Sequence, residues 1–238
     1  MRISGLQKLT LLDFPGHVAC TVFFSGCDLR CPFCHNAPLV TDIDVRDGMD
    51  AEEFFAFLEK RRGILDGVAI TGGEPLLQAE LADFIARIKS MGFSVKLDTN
   101  GTHPDRLAAL LVSGNVDYVA MDVKNSREKY EKTVGVHVDT DAIDRSVRTI
   151  IDSGVEHEFR TTVVAELHEE ADFAEIGKRL CGAKRYFLQQ FLDSGALIGD
   201  GSKMHAATKA EMETFAAAAR VNVPTFLRGV AEDNQRSV

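Results

Sequence analysis

Residues 67–92 read GVAITGGEPLLQAELADFIARIKSMG, and a pass along them decides the kind of fold. Residues 67–70 are a short apolar run of strand type, whereas residues 78–91 place Leu81, Phe84, Ile85 and Ile88 three and four apart, on one face of a helix. Gly92 stands just past the last periodic residue, where helix ends favour glycine. A strand, a glycine-rich turn and an amphipathic helix make one βα unit.

The alternation continues in both directions. Upstream, residues 18–24 read as a strand and residues 50–62 as a helix, with Asp50 as its N-cap and Phe54, Phe55 and Leu58 as its apolar stripe. Downstream, strands at 94–97, 118–121, 158–164 and 185–191 alternate with helices at 105–112, 141–152, 169–180 and 209–220, and residues 224–228 add a short closing strand. Six βα units are too few for a complete eight-stranded barrel, which takes about 250 residues. The expected fold is therefore α/β, a partial (β/α)6 TIM-type barrel with mostly parallel strands. A doubly wound sheet is the alternative, because the pattern does not order the strands. No linker or repeat interrupts the chain, so a single domain over residues 1–238 is expected, with its core at about 16–195 and an extension over 196–238.

Composition narrows the class. The 238 residues are 45% hydrophobic, enough for a sizeable core. With 27 Lys and Arg against 36 Asp and Glu the formal charge is −9, and the basic residues are dispersed, which argues against nucleic acid as a partner. No apolar stretch approaches a membrane span and no signal segment opens the chain, so a cytoplasmic protein is expected, with no membrane partner and with reduced thiols.

Those thiols cluster. Cys27, Cys31 and Cys34 fall in the run GCDLRCPFCHN directly after the first strand. Zinc is one reading, with the neighbouring His35 as fourth ligand. The other is a 4Fe–4S cluster held at three irons, its fourth iron open to a ligand, whereas an electron-carrying cluster normally has four protein ligands. Against zinc, all four ligands would come from one loop, and His35 directly abuts Cys34. Cys20, inside a strand, and Cys181, at a helix end, read as packing residues. The remaining histidines are scattered and suggest no role.

The other polar motifs also follow strands. Thr71-Gly72-Gly73-Glu74-Pro75, Asp98-Thr99-Asn100-Gly101 and Asp122-Val123-Lys124 end the second, third and fourth strands, and Arg160 and Gln189-Gln190 lie on the fifth and sixth. Strand ends share one rim in a parallel βα architecture, so these segments should converge. The glycine pair serves either a tight turn or the close approach of a ligand to backbone. Asp122 and Lys124 alternate and so point the same way, as a surface ion pair or as ligand contacts. Arg160 interrupts an apolar strand and needs an anionic partner, either a loop carboxylate or a ligand group.

At this point the residues resemble the radical S-adenosylmethionine (SAM) superfamily, marked by Cys27, Cys31, Phe33 and Cys34 together with the GGE run Gly72, Gly73 and Glu74. Within it, residues 3–40 are similar to the activating proteins of anaerobic ribonucleoside-triphosphate reductases, relatives of the pyruvate formate-lyase activases. The resemblance implies one 4Fe–4S cluster on Cys27, Cys31 and Cys34, with SAM on the open iron. It implies that Gly72, Gly73 and Glu74 meet the SAM ammonium, that Asp98, Asn100, Asp122 and Lys124 line the pocket with Arg160 near it, and that a monovalent cation sits between Asp98 and Asp122. An electron from reduced flavodoxin or ferredoxin would cleave SAM to methionine and a 5'-deoxyadenosyl radical, which would take a hydrogen from a glycine of the reductase. No catalytic residue beyond cluster and SAM is implied. A radical SAM enzyme acting on a pyruvate formate-lyase type partner or on a small molecule is the alternative. Two departures stand out: no cysteine lies between His35 and Gly73 for an additional cluster, and the sixth strand, LQQFL, lacks the histidine that some relatives place there.

Overall fold

The computed structural model describes residues 1–42 and 48–230; residues 231–238 of the expected C-terminal extension lie outside the described residues. Seven parallel strands follow one another in chain order across an open sheet: β3 (Ala19–Phe24), β5 (Gly67–Gly72), β6 (Ser94–Thr99), β7 (Tyr118–Asp122), β8 (Glu156–Val163), β9 (Tyr186–Gln190) and β10 (Thr225–Arg228). The long helices α2 (Ala51–Glu59), α3 (Leu81–Ser90), α4 (Pro104–Val112), α6 (Thr140–Ser153), α7 (Glu170–Arg179) and α8 (Lys209–Arg220) connect them. Sequential neighbours make this a partial barrel of six βα units plus a closing strand; the doubly wound order does not occur. Asp50 caps α2 as expected, its carboxylate accepting from Glu52 N at 2.8 Å while Glu53 accepts from the Asp50 N–H at 3.0 Å.

Alternation along the strands divides the interior in two. Val22, Phe24, Val68, Ile70, Val95, Leu97, Val119 and Met121 face the helices and join Phe54, Leu81, Ile85 and Ile88 in the main core. The other strand face lines the barrel, where Ala19 and Ala120 pack with Phe14 and Tyr118 in a small separate cluster. A Cβ on Gly67 would come within 2.8 Å of the Phe14 ring, so the small residues at this end make room for one aromatic plug.

Several elements escaped the periodicity. The chain opens with β1 (Arg2–Ile3), which pairs with β4 (Met49–Asp50), and β2 (Gly5–Thr10), which runs antiparallel beside β3 at the sheet edge. An edge strand is not covered on one side, and Leu9 is left exposed, so no alternation marks it. The short helices α1 (Ala37–Thr41) and α5 (Tyr130–Val134) lie in segments read as loops. The expected helix at 78–91 starts only at Leu81, because Pro75–Leu77 form a 3-10 turn first. Cys20 packs as expected, whereas Cys181 is exposed: it follows α7 and lies outside the core stripe. Among the described residues no helix is long and apolar enough to cross a membrane.

Candidate functional site

The cysteine loop starts where β3 ends. Gly26, at φ +96°, turns the chain, its N–H donating to Leu39 O at 2.8 Å, and the Cys34 N–H closes a turn on Cys31 O at 3.1 Å. From the far side Val134 O accepts from the Arg30 N–H at 2.9 Å. Phe33 is buried under the loop and anchors it. Burial pushes the Cys27 thiol up to about 11 and the Cys31 thiol up to about 12, so each stays protonated until a metal displaces the proton.

Gly72 and Gly73 abut this loop. Gly73 N–H donates to Phe24 O at 2.9 Å and Glu74 N–H to Gly26 O at 2.7 Å. A Cβ on Gly73 would stand 2.0 Å from Gly26 O, and one on Gly72, at φ +125°, would stand 2.1 Å from Phe24 O. The pair thus serves a close approach of backbone to backbone. The missing side chains admit the backbone of the neighbouring strand exit, and the same residues still face the cavity beyond. The Gly72 carbonyl accepts from Asn36 Nδ2 at 2.9 Å, which leaves one lone pair for a ligand.

Glu74 departs from expectation. Its side chain is fully buried and does not line the cavity. The carboxylate accepts from Asn100 N at 2.6 Å, Leu76 N at 3.0 Å and Thr99 Oγ1 at 3.0 Å, so it ties the exit of β5 to that of β6. Burial, partly offset by these donors, pushes its carboxyl up to about 7. The Asn100 it supports turns its amide to the cysteine loop, donating to Asp28 Oδ1 at 2.9 Å and lying 3.7 Å from Cys27 Sγ.

Across the barrel floor of the cavity runs a ladder of alternating charge. Arg160 donates from Nε to Asp122 Oδ1 at 2.8 Å and reaches Asp98 Oδ2 at 3.4 Å; Lys124 Nζ lies 2.9 Å from Asp122 Oδ2, and Lys96 pairs with Asp98. The guanidinium thus bridges the two carboxylates between which a monovalent cation was expected. Burial alone would raise both acids, and Arg160 with the flanking ammonium groups outweighs it, holding both below the usual carboxylate range. Burial likewise opposes the Lys124 charge, and Asp122 more than offsets it. Asp98, Asp122, Lys124 and Arg160 line the cavity, whereas Lys96 stands behind its wall.

Cys27, Cys31, Cys34, Gly72, Gly73, Asp98, Asn100, Asp122, Lys124 and Arg160 all line one cavity of about 410 Å³ at the C-terminal strand ends. Of the expected site residues only Glu74 stands behind its wall. Asp13, Thr21, Thr162 and Gln189 are among the other lining residues. Asp13 carries no periodic signal, lying in a loop before β3. Lys96, which fixes Asp98, did carry one: it interrupts the apolar part of its strand two residues before its partner and so on the same face.

The donor set fits a multi-iron cluster. Among the described residues no three His, Cys, Asp or Glu side chains converge closely enough to share a single metal ion, as the zinc reading requires. A cubane instead takes each thiolate on a different iron. His35 packs its ring on Phe191, with centroids 5.9 Å apart.

Comparison with known proteins agrees with this geometry. The model of the Radical SAM superfamily matches residues 21–179. A Methanocaldococcus jannaschii protein that bears the name of a glycyl-radical enzyme activating enzyme is 37% identical over 194 residues, 79% of each chain. The 7-carboxy-7-deazaguanine synthase of Methanopyrus kandleri is 30% identical over 196 residues, 74% of each chain. Streptococcus suis SuiB, solved bound to S-adenosylmethionine, shares the fold, with a TM-score of 0.68 over 88% of this chain and 52% of its own at 13% identity. With two-thirds of its length matched by the family model and its three cysteines opening on one cavity, the chain belongs to the radical SAM superfamily and is a radical SAM enzyme, served by a 4Fe–4S cluster and SAM.

Proposed function

We propose that this enzyme is a glycyl-radical-enzyme activating enzyme whose partner is the anaerobic ribonucleoside-triphosphate reductase. One observation carries the reading. The cavity of about 410 Å³ has the size of one bound cofactor, and its rim is made of the cluster and SAM residues themselves. A cavity that opens at the strand ends and is lined by the expected cluster and SAM residues suits a substrate presented from outside, as a loop of another protein is. The likeness to the M. jannaschii protein supports the same class.

In this reading Cys27, Cys31 and Cys34 would hold three irons. The backbone at Gly72 and Gly73 would accept from the SAM ammonium, and Lys124 and Arg160 in the cavity wall would meet its carboxylate. Asn100 steadies Cys27, and Glu74 acts indirectly by fixing Asn100. When bound, the cluster supplies an electron, taken from reduced flavodoxin or ferredoxin, that cleaves SAM to methionine and the 5'-deoxyadenosyl radical. The chain's own part is to orient SAM, exclude water and admit the glycine loop. We further propose that residues 1–238 act as one cytoplasmic domain. The likeness to a deazaguanine synthase favours a second reading, in which the substrate is a small pterin-like molecule.

Anaerobic reconstitution with iron and sulfide, followed by incubation with SAM, dithionite and the reductase, tests the proposal. A glycyl doublet in the electron paramagnetic resonance spectrum is expected. Release of 5'-deoxyadenosine with no glycyl signal on any glycyl-radical enzyme would leave the small-molecule reading. The Cys31→Ala protein is expected to lose both the brown colour and the nucleoside product, whereas Cys181→Ala keeps both.

A further inference from the structure

The strand β7 ends at Asp122, yet both Asp122 and Lys124 face the cavity. Backbone groups beyond the ladder have lost their strand partners and must be held by something else. All four polar groups of residues 123 and 124 are held. The Val123 N–H donates to Arg160 O at 2.9 Å and Thr161 Oγ1 donates to Val123 O at 2.6 Å. The Lys124 N–H donates to the Tyr130 hydroxyl at 3.3 Å, and Lys124 O lies 2.9 Å from Nε2 of His168.

His168 is buried in the turn after β8, its ring packed on Phe173. Its Nδ1 lies 3.2 Å from Val164 N and 3.1 Å from Val164 O. Burial depresses its pKa, so the ring is neutral, with one donor and one acceptor. Nε2 faces a carbonyl, which can only accept, so it carries the proton and leaves Nδ1 to accept from the Val164 N–H. The ring therefore spans from the Val164 backbone to the Lys124 backbone.

We propose that His168 is a positioning residue for SAM: its Nε2–H holds the Lys124 carbonyl and thereby fixes the Lys124 ammonium in the cavity wall. The inference rests on the reading of Lys124 as a SAM contact. His168 lines neither the cavity nor the cysteine loop, and of its two backbone partners Lys124 is the one whose side chain lines the cavity.

Two variants of similar polarity separate this role from packing. His168→Gln keeps a donor near the Nε2 position, whereas His168→Asn places its amide near Nδ1 and loses the donor to Lys124 O. SAM affinity of the reconstituted holoenzyme, measured anaerobically by calorimetry, is expected to fall about tenfold in His168→Asn and to stay within about twofold of wild type in His168→Gln. Lys124→Met is expected to weaken SAM at least as much, and the Lys124→Met/His168→Asn double variant no further than Lys124→Met alone. Equal losses in Asn and Gln that follow equal falls in thermal midpoint mark a packing role and overturn the proposal. So does an additive double variant, or wild-type affinity in His168→Asn when Lys124→Met is impaired. Wild-type affinity in Lys124→Met removes the underlying reading together with the inference.

Discussion

Glu74 shows how one residue of a motif can lie behind the wall of the cavity that its neighbours line. Its carboxyl sits at about 7 in the folded protein against an ordinary value of 4.5, because burial disfavours the charge. A raised carboxyl means that its contribution to stability is complete below pH 4.5 and is lost as pH rises through 7. The stability difference between wild type and Glu74→Gln, followed by urea unfolding of the apoprotein, is therefore expected to shift against wild type by about 3 kcal/mol from pH 4.5 to pH 8. A pH-independent difference would show that the three donors fully offset the burial. The sequence marked Glu74 through its place in GGE, but the direction of its side chain depends on Asn100 and Thr99, which come from the next strand. His168 was obscure for the same reason: it is defined by the Lys124 backbone that folding brings to it.

Among the elements, the exits of β3 and β5 are the critical joint. Their backbones run so close at Phe24–Gly26 and Gly72–Gly73 that the cysteine loop and the glycine pair form one surface. Gly73→Ala drives a methyl group into Gly26 O, a backbone atom that cannot move without displacing Cys27. The expected cost is roughly 3 kcal/mol in urea unfolding, together with incomplete iron loading at equal protein concentration. Wild-type loading would show that the two exits are free to separate. The parallel strands β3 to β9 and the long helices were legible because one face of each meets the main core, and that burial imposes the periodicity. The edge strand β2 and the short helices α1 and α5 were not, since each buries too little to impose a pattern.

Over the whole molecule, the barrel has an apolar end and a charged end. Phe14 fills the first, against Ala19, Tyr118 and Ala120. Phe14→Ala is expected to cost about 4 kcal/mol, because rigid strands cannot collapse around the cavity it leaves. A cost below about 1 kcal/mol would mean that the floor closes without it. At the other end, in the ladder of Lys96, Asp98, Arg160, Asp122 and Lys124, each carboxylate lies between two cations.

The sequence by itself determined the βα alternation, the three thiols and the strand-end placement of the polar motifs, because periodicity, composition and turn chemistry are local properties of a chain. Only the tertiary structure decided the sequential strand order, the plug, the role of Glu74 and the bridge that Arg160 makes between Asp98 and Asp122. Each of these depends on contacts between residues far apart in the chain, and a buried charge takes its meaning from the neighbours that folding supplies.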